Sequence, residues 1–464
     1  MTHAASATLV RTDGPGAPPA AAVLERAFDR LARLERAALV QVALPAPLAP
    51  AAALLHASPD AVVWEPRDGG AAWAGAGVAA AITARGRGRF AEIAAAAAAI
   101  GARAERIGEA PAPRWFGGFA FAPGSADAPA WAGLGDASFV LPRWSYVKDD
   151  GDAQLVLTLA PGDRPERATL HAELAAALAA LATPIAAPAA AVVAQHDLPA
   201  NRWHDEIEQI RAAIAGSELR KVVAARARVL ELARAIDPAA VVAELGRRQP
   251  ACTRFAVARG GAAFVGASPE RLVRKRGRVV DSEALAGSCA RTGDDAAAAA
   301  ALAASAKDRA EHAWVVAAIE AALAPRCRTL DVPGAPAVRT LRQILHLHTP
   351  ITGELAHGAH VLELVAALHP TPAVGGTPTA DAVAWIAAHE PTPRGWYASP
   401  VGWFDAAGDG EFAVAIRSGL LAGATATLFA GAGIVAASDP AAELAETELK
   451  LRALSDALGL EAPR

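Results

Sequence analysis

A chain of 464 residues is long enough to bury a large core, as one big domain or two. Its formal net charge of -4 leaves no basic footprint for nucleic acid. Three cysteines, Cys252, Cys289 and Cys327, are an odd number without paired ligand spacing, so neither structural disulfides nor a zinc site is expected, which suits a reducing cytoplasm.

The first residues, Met1-Thr2-His3-Ala4-Ala5-Ser6, lack a basic run followed by an apolar stretch, so no export signal is expected. Residues 23–40 carry helical spacing. Ala61-Val62-Val63-Trp64, the polar run Arg67-Asp68-Gly69-Gly70 and residues 71–76 read as two strands around a turn. Residues 114–121 predict a buried strand in which Gly117 and Gly118 allow close backbone approach. No catalytic constellation stands before residue 200, so residues 1–182 are expected to be an N-terminal α/β portion that serves mainly as scaffold. Residues 174–195 are uncharged and long enough to raise the question of a membrane span. They are mostly Ala and contain Pro184 and Pro188, so a helix running into a linker is expected instead. The Pro/Ala-rich residues 183–200 are the expected boundary, with the chemistry in residues 201–464.

Beyond it, Trp203, Ile207, Ile210 and Ile214 recur at helical spacing and stop near Gly216. The next run alternates, with Lys221, Val223, Ala225, Ala227 and Val229 on one side and Arg226 and Arg228 on the other. Successive strand side chains point to opposite faces, so Lys221 should point inward with the apolar set. A buried ammonium is costly, and burial lowers a lysine's pKa toward neutrality, which is how a protein makes a general base of it. A strand-end lysine whose stem packs while its head reaches water would give the same pattern. Residues 262–266, the corner Ser268-Pro269-Glu270, residues 271–275, a turn at Arg276-Gly277 and residues 278–281 read as a hairpin. Pro269 restricts the backbone so that Glu270 leaves at a defined angle, as an acid needing one pose requires. An ordinary exposed hairpin glutamate is the alternative. Residues 305–323 and 441–458 read as helices, and residues 410–418 and 425–434 as strands. Helices and strands mix without regular repetition, so a large α+β fold is expected.

Three carboxylates complete the pattern. Glu443, Glu446 and Lys450 stand at i, i+3 and i+7 on one helix face. Glu311 shares a stripe with Lys307 and Asp308 on one side and with Trp314, Val315 and Ala318 on the other, where a polar helix start meets an apolar face. Two helices presenting carboxylates suit Mg²⁺, which takes one or two of them and keeps room for water and an anionic substrate. Solvated helix faces with salt bridges would look the same. Arg417 at a strand end, Gly431-Ala432-Gly433 as a tight loop, and Lys450 form an anion-binding set; a structural ion pair is an equal reading of Arg417 alone.

Together these segments resemble the chorismate-utilising enzymes, and within them the isochorismate synthases. The resemblance covers about residues 201–460, with seven motifs in the family's order. They are Lys221-Val222-Val223-Ala224-Ala225-Arg226; Gly266-Ala267-Ser268-Pro269-Glu270; Leu285-Ala286-Gly287-Ser288; Lys307-Asp308-Arg309-Ala310-Glu311-His312; Leu368-His369-Pro370-Thr371-Pro372-Ala373-Val374-Gly375-Gly376; Gly431-Ala432-Gly433-Ile434; and Glu443-Leu444-Ala445-Glu446-Thr447. The resemblance implies a mixed chorismate-binding fold like that of anthranilate synthase component I, and an Mg²⁺-dependent isomerisation of chorismate. It makes Lys221 the base that activates water and Glu270 the acid that protonates the leaving hydroxyl. It makes Glu311, Glu443 and Glu446 the metal set, and puts Arg417, Tyr397, Gly431 and Lys450 at the substrate's carboxylates. His346 and Ala373 fall beside the ring, and Gly287 and Ser288 join the substrate-binding set.

Branch-specific positions point the same way. Anthranilate synthases, which deliver ammonia, are similar in fold but have glutamine where this chain has Lys221, so no glutamine amidotransferase partner is expected. Aminodeoxychorismate synthases place a nucleophilic lysine near residue 286, where Ala286 stands. Salicylate synthases, the alternative reading, share the lysine and glutamate but typically have Thr at the position of Ser288. Tyr397 departs from the Phe of some isochorismate synthases. A monomer that works in the cytoplasm without a membrane, in menaquinone or siderophore biosynthesis, is the resulting expectation, with Gly375-Gly376-Thr377-Pro378 leaning toward the menaquinone type.

Overall fold

A computed structural model describes residues 19–34, 38–101, 103–291 and 293–460. Its architecture is α+β, with one continuous, forked sheet. The fork lies at the strand Ala137–Asp149, which pairs along its length with Ala72–Ala84. On its other side it pairs with Arg114–Phe119 near its start and with Asp152–Leu159 near its end.

One branch continues from Ala72–Ala84 through Ala61–Glu65, Thr253–Arg259, Ala262–Ser268, Ser418–Ala422 and Thr425–Ile434 to Lys221–Leu232. The other continues from Arg114–Phe119 through Pro400–Asp405, Gly410–Val414, Arg271–Arg276 and Val279–Ala290 to Ile344–Leu355. Alternation along the strands feeds two cores. Leu420 and Phe429 enter an apolar cluster that also holds Phe139, Phe404 and Phe412, whereas Leu421 and Leu428 enter a second one with Phe28, Leu174, Leu245 and Leu454. The second cluster is closed by the helices Ala20–Leu31, Arg167–Ala182, Pro238–Arg248 and Pro440–Ala457.

Several elements differ from their sequence reading. The helix expected over residues 23–40 ends at Leu31, and Leu39–Pro45 is a strand; residues 1–6, read for an export signal, lie outside the described residues. The expected hairpin is two things. Arg271–Arg276 and Val279–Ala290 do form one, turning at Gly277 with φ 58°. Ala262–Ser268 belongs to the other branch, so Pro269-Glu270 is the step by which the chain crosses between branches. Residues 410–418 are not one strand: Gly410–Val414 and Ser418–Ala422 lie in different branches, with Arg417 in the link between them. Within residues 183–200, Val192–Asp197 form a strand on the edge of Lys221–Leu232. Among the described residues no helix is long and apolar enough to cross a membrane.

Candidate active site

A cavity of about 200 Å³ opens between the end of the first branch, the crossing step, the second branch and two helices. Lys221, Glu270, Gly287, Ser288, Glu311, His346, Ala373, Tyr397, Arg417, Gly431, Glu443, Glu446 and Lys450 all line it. Residues spread over more than 200 positions of sequence thus meet in one space.

Lys221 opens the strand Lys221–Leu232 and is 3% exposed. Its Nζ lies 3.2 Å from Glu311 Oε2. Room for the lysine comes from Gly433, where an added Cβ would stand 2.4 Å from Lys221 Cε and 2.8 Å from Nζ. Gly431 likewise sits against the Ala224 carbonyl and Tyr397 Oη. Gly431-Ala432-Gly433 is therefore not the loop expected but part of the strand Thr425–Ile434, where the missing side chains make space. Arg226, on the opposite face, is also buried; Thr447 Oγ1 and Glu448 of the last helix accept its hydrogen bonds. Glu311 is set by its neighbour in the helix Ala306–Leu323: the His312 ring bonds the Ala286 carbonyl at 3.2 Å and Thr349 Oγ1 at 2.8 Å.

Glu270 is 3% exposed, and burial pushes its carboxyl up to about 8. The charge of Glu283 adds to the rise, while Arg417, Arg67 and Lys221 oppose it. Near neutral pH the group therefore carries a proton it can give away, which the exposed-hairpin alternative would not provide. Glu283 behaves oppositely. Burial pushes it upward, but hydrogen bonds from His348 and Arg67 and the charges of Arg67 and Arg339 hold it well below the usual carboxylate range.

Each of the three glutamates expected to form the metal set has a lysine. Lys221 faces Glu311, Lys307 Nζ is 3.5 Å from Glu443 Oε1, and Lys450 pairs with Glu446, which also accepts from Ser288 Oγ at 3.2 Å. Burial raises Glu443, with Glu446 adding to it. Glu446 is held at about 2, because Lys450, His346 and Ser288 outweigh its burial. Among the described residues no three His, Cys, Asp or Glu groups are gathered closely enough to hold a metal as they stand. Three carboxylates lining one cavity, each with a lysine against it, nevertheless fit a hard divalent cation that takes one or two of them directly.

Other residues of the lining suit an anion. Arg417 has φ 53° and Ala398, beside Tyr397, has φ 60°, left-handed conformations that cost a non-glycine residue on the order of 1–2 kcal/mol. The two segments are tied by Ala398 N–H to the Ala415 carbonyl at 2.9 Å, and Ala267 N–H holds the Arg417 carbonyl at 3.2 Å. Arg417 Nη2 is buried without a partner, as are both ring nitrogens of His346. Burial, with Arg417 and Lys450 adding to it, pushes the His346 imidazole down to about 3, leaving a neutral ring. Tyr397 stacks on Phe429 at 5.3 Å, and burial pushes its phenol up to about 12. A buried donor left unpaired is costly; Arg417 Nη2 is one, on a residue that lines the cavity, and the neutral His346 ring has one N–H to give, as groups awaiting an anionic ligand would.

Sequence reading missed Glu283, Arg67 and the role of Gly433. Glu283 shares the parity of Leu285 on its strand, so a charge on an inward face was its only local signal. Arg67 had none, since its partner is 216 positions away.

The sequence profile of the family described as chorismate binding enzyme matches residues 25–459, and the chain belongs to that family. The salicylate biosynthesis isochorismate synthase of Pseudomonas aeruginosa is 40% identical over 365 residues, 76% of this chain and 76% of that one. Among solved structures, MenF, the menaquinone-specific isochorismate synthase of Escherichia coli, superposes with a TM-score of 0.78 at 30% identity, over 95% of this chain and 99% of that one. Anthranilate synthase component I of Streptococcus pneumoniae, at 22% identity, shares the fold with a TM-score of 0.63 over 75% of this chain and 82% of that one.

Proposed function

We propose that the chain is an isochorismate synthase, an isomerase that converts chorismate to isochorismate. The observation that carries this reading is the pairing of Lys221 and Glu270 on one cavity with Arg417. The Lys221 amine takes a proton from water as the water oxygen bonds to a ring carbon. The double bonds shift across the ring, and the bond to the departing hydroxyl breaks. Glu270 supplies the proton with which that group leaves as water, so one water enters, one leaves, and solvent resets both groups. Arg417, Tyr397, Lys450 and the backbone at Gly431 hold the substrate's carboxylates, with His346 and Ala373 beside the ring and Gly287 and Ser288 closing the wall. Glu311, Glu443 and Glu446 would hold Mg²⁺, which would neutralise carboxylate charge on the dianion.

The same reading makes this a cytoplasmic enzyme acting as a single chain without an amidotransferase, in menaquinone or siderophore formation. Incubating the purified protein with chorismate and Mg²⁺ tests it. Isochorismate is the expected product, and EDTA should abolish its formation. Accumulation of salicylate and pyruvate would instead establish the lyase alternative, and ammonium-dependent anthranilate would overturn the assignment.

A further inference from the structure

The two peptide groups flanking Glu270 converge on a single ion pair. Arg67 Nη1 donates to the carbonyl of Pro269, immediately before the glutamate. Glu283 Oε1 accepts from the backbone N–H of Arg271, immediately after it, at 2.7 Å. Arg67 and Glu283 meet each other as a fork, Nη1 to Oε1 at 2.7 Å and Nη2 to Oε2 at 2.6 Å. Their side chains are 6% and 5% exposed, so the fork closes away from water. Arg339 Nη1 at 3.1 Å and His348 Nε2 at 2.9 Å fix Glu283 from the second branch. Neither Arg67 nor Glu283 lines the cavity.

We propose that Arg67 and Glu283 are positioning residues that clamp the backbone on both sides of Glu270 and so fix the pose of the acid. Arg67 comes from the turn between Ala61–Glu65 and Ala72–Ala84, so the N-terminal portion supplies half of this clamp. The geometry explains why a two-residue crossing between branches can hold a buried carboxyl still: both of its backbone anchors share one rigid partner. The same clamp sets the acid's charge environment. Glu283 presents a fixed negative charge to Glu270, against the positive charges of Arg417, Arg67 and Lys221. An ion pair that merely tied the N-terminal turn to the sheet would leave the chemistry of Glu270 unchanged.

The proposal rests on the reading of Glu270 as the acid, and its test separates the two. In the full-length chain, Arg67→Lys keeps the charge but loses the fork, and Glu283→Gln keeps the shape but loses the charge. Steady-state kinetics across pH and thermal melting are measured for both. The Glu270 carboxyl is also titrated by NMR in ¹³C-glutamate-labelled protein, its resonance assigned by loss in Glu270→Gln. Arg67→Lys is expected to lower kcat by roughly 10–100-fold with KM within about twofold. Glu283→Gln is expected to lower the Glu270 midpoint by about one pH unit, the falling limb of the rate profile moving with it. Wild-type kcat in Arg67→Lys, or a loss that follows the folded fraction alone, would overturn the clamp. If Arg67→Lys fails to fold, the Glu283→Gln titration decides, and an unmoved midpoint rejects the proposal. Wild-type protein that forms no isochorismate would sink the functional reading while leaving the titration free to report on the clamp.

Discussion

Glu270 holds its proton because it is out of water and near the charge of Glu283, which His348, Arg67 and Arg339 keep ionised. Its protonated form persists up to about 8, well above the ordinary 4.5. Activity that needs this proton should fall as pH rises through about 8, and Glu270→Gln should lose on the order of 10²–10⁴-fold in kcat. The stability consequence has a definite sign. Below about 4.5 the folded and unfolded chains both carry the proton; between 4.5 and about 8 only the folded one does, so the wild type loses stability as pH rises through that window. Melting curves at pH 5 and pH 9 should therefore show Glu270→Gln gaining on the wild type at the higher pH. Parallel Tm profiles for the two proteins would mean that the carboxyl ionises normally. Lys221→Ala should abolish water addition, and a variant that still forms isochorismate at the normal rate would remove the base from the scheme.

At the scale of elements, period-two alternation made the lysine strand legible, because Lys221 and its apolar companions share a face whatever lies around them. The carboxylate helices were legible for the same reason, through the spacing of Glu443, Glu446 and Lys450 and the stripe through Glu311. Glycine misled. Gly431-Ala432-Gly433 carries the composition of a turn but lies inside Thr425–Ile434, where its value is the volume it leaves empty. The atoms a Cβ at 433 would strike are the far end of a flexible side chain, Lys221 Cε and Nζ, with Glu311 Oε2 at 3.4 Å. Gly433→Ala should thus fold normally, because the lysine can swing aside, yet lose its contact with Glu311. A melting temperature within a few degrees of wild type and a kcat lowered by roughly 10–100-fold are expected. An alanine variant with unchanged kcat would show that the lysine does not need its observed position.

Pairings between distant segments decide the shape of the whole molecule, and these leave little trace in local sequence. The composition change at residues 183–200 is real, but sheet pairing crosses it twice. Thr253–Arg259 pairs with Ala61–Glu65, and Pro400–Asp405 with Arg114–Phe119. The residues that hold Glu270 still are divided in the same way, Arg67 before the boundary and Glu283 after it. None of the described residues of the first portion lines the cavity, yet the proposed clamp takes its arginine from there. Residues 201–464 alone would bare two strand edges and the partners of Trp64, Trp115, Phe116 and Phe119, all buried in the shared core. Each such ring contributes about 1.5–3 kcal/mol when buried, so their loss is comparable to the ~5–15 kcal/mol that holds a whole domain together. Expressed by itself, that fragment should be aggregated or molten by gel filtration and circular dichroism, and inactive on chorismate. Co-expression with residues 1–200 should restore some soluble, active complex, since the strand edges and Arg67 return together. A fragment that folds cooperatively and turns over without the N-terminal portion would show that the second portion completes its own site and that Arg67 is dispensable to it.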